Sequence, residues 1–186
     1  MADQEKDTDP DKDTDSDRDT GTDTAVATQR PEESAQNNGQ QFNIQKIFLK
    51  DSSLESPNAP EIFTEKWEPN VNIELNSNGR NLGDSVHEVV LGVTVTAKIG
   101  DKTAYLVEVQ QSGIFSLNGF SQQDIGLMLG SYCPNLLYPY AREVVSDLVL
   151  KSGFPQMILA PVNFDAIYQD HLKRQQQEAK DSGAIH

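Results

Sequence analysis

Between Phe42 and Phe115 the apolar residues recur mostly at every second position; beyond Leu136 they recur at helical spacing. The first stretch, Phe42 to Leu49, places Phe42, Ile44 and Phe48 on one face with Lys46 between them, which predicts a strand. Asp51 to Trp67 carries Pro57 and Pro60, with Pro69 just beyond, and this argues against a long regular element. Val71, Ile73 and Leu75 then alternate with Asn72, Glu74 and Asn76, as in a half-buried strand or an extended crossover, and Asn76-Ser-Asn-Gly79 reads as a turn. In Val86–Ile99 the residues Val89, Leu91, Val93, Val95, Ala97 and Ile99 share a face opposite Thr94, Thr96 and Lys98. After Gly100-Asp101, Lys102–Gln111 sets Thr103, Tyr105, Val107 and Val109 against Ala104, Leu106, Glu108 and Gln110. Two long β-rich runs joined by a glycine-containing pair of residues predict an antiparallel hairpin, which Gly113-Ile-Phe115 either extends or ends.

The period then changes. Ser121 with Asp124 reads as an N-cap with an acid near the positive end of the dipole, opening a short helix to about Leu129 that Cys133-Pro134 interrupts. Leu136, Leu137, Tyr140, Ala141, Val144, Val145 and Leu148 form one helical stripe, with Lys151 at its negative end and Gly153 as a stop. Phe154 to Pro161 is a connection. Asn163 caps a last helix carrying Phe164, Ile167, Tyr168 and Leu172 before it turns wholly polar. Strands followed by helices predict an α+β domain, with the helices beside an antiparallel sheet.

Composition divides the chain. Residues 1–41 hold 12 acids and 4 bases, a net charge of −8, and no Leu, Ile, Phe, Tyr or Trp. Every odd position from Asp7 to Asp19 is Asp. Such a segment cannot bury apolar surface, so it is expected to be a disordered acidic tail, either favouring solubility through its like charges or shielding a binding surface. A calcium loop needs Gly at its sixth position and Glu at its twelfth; counted from Asp13 these are Arg18 and Thr24, and the reading fails. The remainder forms one domain over 42–180, with residues 181–186 as a flexible end. The overall charge of −14 lacks the basic footprint of nucleic-acid binding. No apolar run is long enough to span a membrane, none begins the chain as a secretory signal, and a single cysteine fits a reducing compartment.

Chemistry is sparse. No metal-ligand spacing, phosphate-binding loop or cofactor fingerprint is present, so no metal or cofactor is expected. Cys133 and His87 form the only nucleophile–base pair to consider, as in a cysteine hydrolase, but Pro134 follows the thiol and no elbow motif surrounds it. Cys133 reads as a core or interface thiol and His87, beside Glu88, as a surface imidazole; no catalytic residue is assigned. What remains is binding surface: Trp67, Val71, Ile73 and Leu75 lie in a stretch too irregular for ordinary core, and either line a groove for extended polypeptide or cover the sheet.

Four blocks sharpen this: FNIQKIFLKDSSLESPNAP (42–60), VQQSGIF (109–115), YCPNLLYPYARE (132–143) and FPQMILAPVNFDA (154–166). In this order they resemble the protein-export chaperone SecB family over about 42–180, leaving the acidic segment outside. The resemblance implies a sheet of about four antiparallel strands with helices on one side, assembled as a homotetramer, a dimer of dimers. It implies an ATP-independent holdase of the bacterial cytoplasm that keeps secretory precursors unfolded and delivers them to the translocation ATPase SecA. Trp67, Val71, Ile73 and Leu75, with Phe48, Phe115 and Tyr168, match the client groove. Asp51, Glu55, Leu106 and Glu108 match the contact with the basic, zinc-bearing C-terminal tail of SecA; by composition alone the three acids read as solvated surface. For the tetramer interface the helix stripe Leu136–Leu148 and the outer face of the Tyr105–Val109 strand are candidates, against burial in the monomer core. The alternative on the same fold is a chaperone dedicated to one partner, as an antitoxin chaperone is.

Overall fold

The computed structural model describes residues 39–183, with side chains described to Gln177. Four strands form one antiparallel sheet: β1 (Gln41–Glu55), β2 (Asn70–Gly83), β3 (Val86–Ile99) and β4 (Lys102–Asn118), in the spatial order β1-β4-β3-β2. Helix α1 (Gln122–Leu127) runs through a π-helical stretch, Met128–Tyr132, into α2 (Cys133–Lys151), and α3 (Phe164–Gly183) follows a connection. The expected α+β architecture is therefore present. The readings of residues 1–38 as a tail and of 184–186 as a flexible end lie outside the described residues; β1 begins at Gln41, and α3 continues to Gly183.

The central hairpin forms the core because its two strands have neighbours on both sides. Val89, Leu91, Val93, Val95 and Ala97 of β3 are all at most 1% exposed, and Tyr105, Val107, Val109, Phe115 and Leu117 of β4 match them. The register sets Ala97 against Tyr105, Val95 against Val107 and Val93 against Val109. Leu137, Ala141, Val145 and Val149 of α2 cover this inner face. Each fully buried side chain of this size stabilises by about 1.5–3 kcal/mol, which makes this layer the main source of stability. Gly100, at φ +57°, turns the hairpin as expected.

Several sequence expectations are corrected by packing. The Asn76-Ser-Asn-Gly79 turn does not exist: these residues pair with Gly92, Leu91, Val90 and Val89 inside β2. The reversal lies at Asp84 and Ser85, with φ +46° and +62°, the conformation of a tight two-residue hairpin turn. Pairing with β3 outweighs local turn preference, and Leu129 packs over Gly79, its Cβ 3.5 Å from where a Cβ at that position would lie, an ordinary contact distance. Cys133-Pro134 does not interrupt the helix. The N–H of Cys133 donates to Met128, and the wider turn carries the chain past Pro134 at the start of α2. The face shared by Phe42, Ile44 and Phe48 is split by a bulge between Ile44 and Lys46, after which Ile47 opposes Gly113 and Phe48 opposes Ser112. Strand β1 also runs four residues beyond Asp51, and the irregular region begins only at Ser56. His87 is not at the surface: at 5% exposure it lies opposite Phe115, and Glu88 beside it is 4% exposed.

The helix stripe is likewise rotated. Leu137, Ala141 and Val145 are buried, Leu136, Val144 and Leu148 are half-buried, and Tyr140 is 47% exposed. Tyr105, Val107 and Val109 are core residues of the single chain, while Leu106 and Glu108, on the outer face of the same strand, are half-buried and exposed. Ser121 accepts from the N–H of Asp124 and Asn163 from that of Ala166 at 3.0 Å, so both expected caps are in place. Gly153, at φ +87°, lies just past the end of α2.

Candidate functional site

The sheet has two faces. Helices cover one; the other is polar, and three cross-strand rows define it. Glu55 opposes Leu106, which opposes Thr96; Ser53 opposes Glu108, which opposes Thr94 and then Glu74; Asp51 opposes Gln110 and then Gly92. Directly opposed residues of an antiparallel pair have Cβ atoms about 4.5–5.5 Å apart, and residues two apart on a strand point to the same side about 7 Å along. Asp51, Glu55, Leu106 and Glu108 are therefore brought together as one patch, with Leu106 half-buried among three exposed carboxylates. Their placement depends on a second bulge, between Leu49 and Asp51, which sets the parity of Asp51, Ser53 and Glu55.

Beside this patch lies a hollow of about 670 Å³, lined among others by Lys50, Asp51, Glu74, Arg80, Glu88 and Glu108. Glu88 forms its buried floor. Lys50 donates to its Oε1 at 3.0 Å, Ser112 Oγ donates to the same oxygen at 3.0 Å, and Arg80 pairs with its Oε2. The Lys50 ammonium, helped by Ser112 and Arg80, holds this carboxyl below the usual carboxylate range, against the upward push of burial. Sequence patterning missed this cluster. Its only signal was a Glu at the outward parity of a strand otherwise rich in Val and Thr.

The expected groove residues are divided. Trp67 is half-buried, stacked on Tyr105 with centroids 6.4 Å apart and 5.5 Å from Phe154. Val71, Ile73 and Leu75 follow it along edge strand β2 at the helix-side parity, Ile73 being 42% exposed. Tyr168 of α3 lies over Gly126 and Gly130, where a Cβ on Gly130 would sit 2.5 Å from the ring Cε2. Leu129, between these glycines, approaches Gly79 of β2, so an apolar strip leads from Trp67 along β2 toward Tyr168. Phe48 takes the opposite parity, across from Ser112, and is not part of this strip. Phe115 is 0% exposed, stacked on Phe42 at 5.8 Å, and it offers no surface for a client.

Cys133 is fully buried and its thiol is pushed up to about 12 by burial, the opposite of an activated nucleophile. Among the described residues no cluster of His, Cys, Asp or Glu is arranged to hold a metal ion, and no helix is long and apolar enough to cross a membrane.

The family model described as preprotein translocase subunit SecB matches residues 35–175. This chain belongs to the SecB family. Protein-export protein SecB of Nitrosococcus oceani is 54% identical over 155 residues, spanning 82% of this chain and 92% of its own length. The SecB of Methylococcus capsulatus is 54% identical over 148 residues, spanning 80% of this chain and 96% of its own. The SecB-like chaperone of Mycobacterium tuberculosis, solved with a ChAD peptide from an antitoxin, shares the fold at a TM-score of 0.55 and 16% identity, covering 65% of this chain and 90% of that one. SecB membership makes this chain a protein-export chaperone, and the family is one of chaperones rather than enzymes.

Proposed function

We propose that this SecB-family chain is an ATP-independent holdase of the bacterial cytoplasm that assembles as a dimer of dimers and passes unfolded precursors to SecA. The client surface is the strip from Trp67 through Val71, Ile73 and Leu75 to Tyr168. It combines apolar side chains with the outer edge of β2, which has no neighbouring strand among the described residues. An extended, unfolded segment can satisfy such an edge with its own backbone while its apolar side chains rest on the strip. Neither contact depends on a particular client sequence, which is the physical basis of promiscuity.

The observation that carries the delivery step is the register that places Glu55 across from Leu106, with Glu108 two residues further along β4 and Asp51 on the same side. Three exposed carboxylates around one apolar group suit a basic peptide that also presents an apolar contact. Such a surface steers association and loses strength with salt.

Titration calorimetry of a zinc-loaded peptide of the SecA C-terminal tail tests the docking, comparing the natural chain with Asp51→Asn/Glu55→Gln/Glu108→Gln. Each exposed charge contributes about 0.2–1 kcal/mol, so the triple variant is expected to bind about 3- to 150-fold more weakly. Equal affinity would sink the docking site. Native mass of four times 20.6 kDa and suppression of precursor aggregation without ATP test the rest. Capture of a single stoichiometric protein from the host, without precursors, would replace this reading with that of a dedicated chaperone.

A further inference from the structure

The hollow on the outer sheet face holds both signs of charge. Asp51, Glu74, Glu88 and Glu108 supply four carboxylates, and Lys50 and Arg80 supply two cations, a net of −2. Both cations are bonded to the same carboxylate, and it is the buried one: the Glu88 side chain is 5% exposed, against 39% for Lys50 and 67% for Arg80. The other three acids face the opening without an ion pair among the described residues.

Lys50 makes this arrangement consequential. It is the extra residue of the bulge, since Leu49 opposes Gln111 and Asp51 opposes the next residue, Gln110. Regular alternation would send Lys50 and Asp51 to opposite faces. The bulge instead brings both into one hollow, with a cation adjacent in sequence to an acid of the patch. An ammonium free at that point would pair with Asp51 or Glu108 and cancel the field that a basic peptide senses.

We infer that Glu88 is a positioning residue for the acidic patch, drawing Lys50 and Arg80 to the floor of the hollow so that Asp51, Glu74 and Glu108 face the partner as uncompensated carboxylates. The recognised partner is a cationic polypeptide segment. The inference rests on the docking reading above and extends the docking surface to Glu74. A buried carboxylate is a costly way to stabilise a sheet unless its donors are well placed, and apolar replacement of such clusters is often neutral. Its use at this position is therefore better explained by what it does to its two cations.

The test is calorimetry of the zinc-loaded SecA tail peptide with E88Q, E88D, E88Q/K50M and, as a control of equal charge change on α2 across the sheet, E143Q. E88Q is expected to bind about 5- to 20-fold more weakly, with E88D and E143Q within about threefold of the natural chain. Adding K50M to E88Q is expected to restore most of the lost affinity, the released Arg80 accounting for the remainder, and a merely structural defect would not allow this rescue. Undiminished binding by E88Q, or an E88Q/K50M variant as weak as E88Q, overturns the inference while leaving the docking reading intact. Failure of the natural chain to bind overturns both. If E88Q melts below the assay temperature, E88M/K50M/R80M replaces the whole cluster with apolar groups. It must bind at least as tightly as the natural chain, and weaker binding counts against the inference.

Discussion

Gly130→Ala isolates the contact that docks α3. A Cβ at this position would lie 2.5 Å from the Tyr168 ring Cε2 and would also meet Cδ2, whereas carbon atoms settle at about 3.5–4.0 Å. The ring must therefore retreat by about 1–1.5 Å. Overpacking of this degree costs about 1–3 kcal/mol, and Ala in place of Gly in a helical segment returns up to about 1 kcal/mol. The strain falls on whichever side yields more easily. On one side is the π-helical stretch, which leads into α2 over the core. On the other is α3, held near its start by Phe164, by the bond from Ser131 to Asp165 and by the Asn163 cap, with residues 173–177 exposed. Helix α3 is expected to give way. Hydrogen exchange should show the amides of residues 166–173 losing protection by about 5- to 30-fold, while the urea midpoint moves by less than about 0.5 kcal/mol equivalent. The reasoning is refuted by α3 protection equal to that of the natural chain, or by a global loss of stability with α3 still docked.

Two further outcomes follow from buried groups. With its pKa at about 12, Cys133 is expected to be inert to a disulfide thiol reagent at pH 8 in the native protein and to react fully in urea; rapid native labelling would contradict its burial. The Glu88 carboxyl is held below its ordinary 4.5, so folding favours its ionised form. That contribution is present above pH 4.5 and is lost as pH falls below it. Urea titrations should find E88Q about 1–3 kcal/mol less stable at pH 7, with the gap closing toward pH 3; a gap independent of pH would show that the ion pairs contribute nothing.

How much of this was legible depends on how local the determinants are. The hairpin of β3 and β4 was readable to the residue at Val86, Ile99 and Lys102, because strict alternation and a two-residue turn are both short-range signals. The caps at Ser121 and Asn163 were readable for the same reason. The proposed docking patch is legible only through resemblance; by composition its three acids are ordinary surface charges, and the bulge that gives Asp51 its parity leaves no mark in the alternation. The same point hides the burial of Phe115 and the opposite parity of Phe48, since apolar character does not say which face of a strand a side chain takes or how many neighbours cover it.

The fold class, the order of the elements, the central hairpin and the family follow from the amino-acid sequence alone. Each of these rests on periodicity, turn chemistry or contiguous blocks of residues. Tertiary structure alone decided the rest: that Asn76–Gly79 continues a strand, that Cys133-Pro134 lies within a continuous helix, that His87 and Glu88 are buried, and that Lys50 and Arg80 converge on one carboxylate. These depend on pairing register and on contacts between distant segments. A ladder bond, a bulge or a buried ion pair is stabilised by a partner that local preference cannot identify.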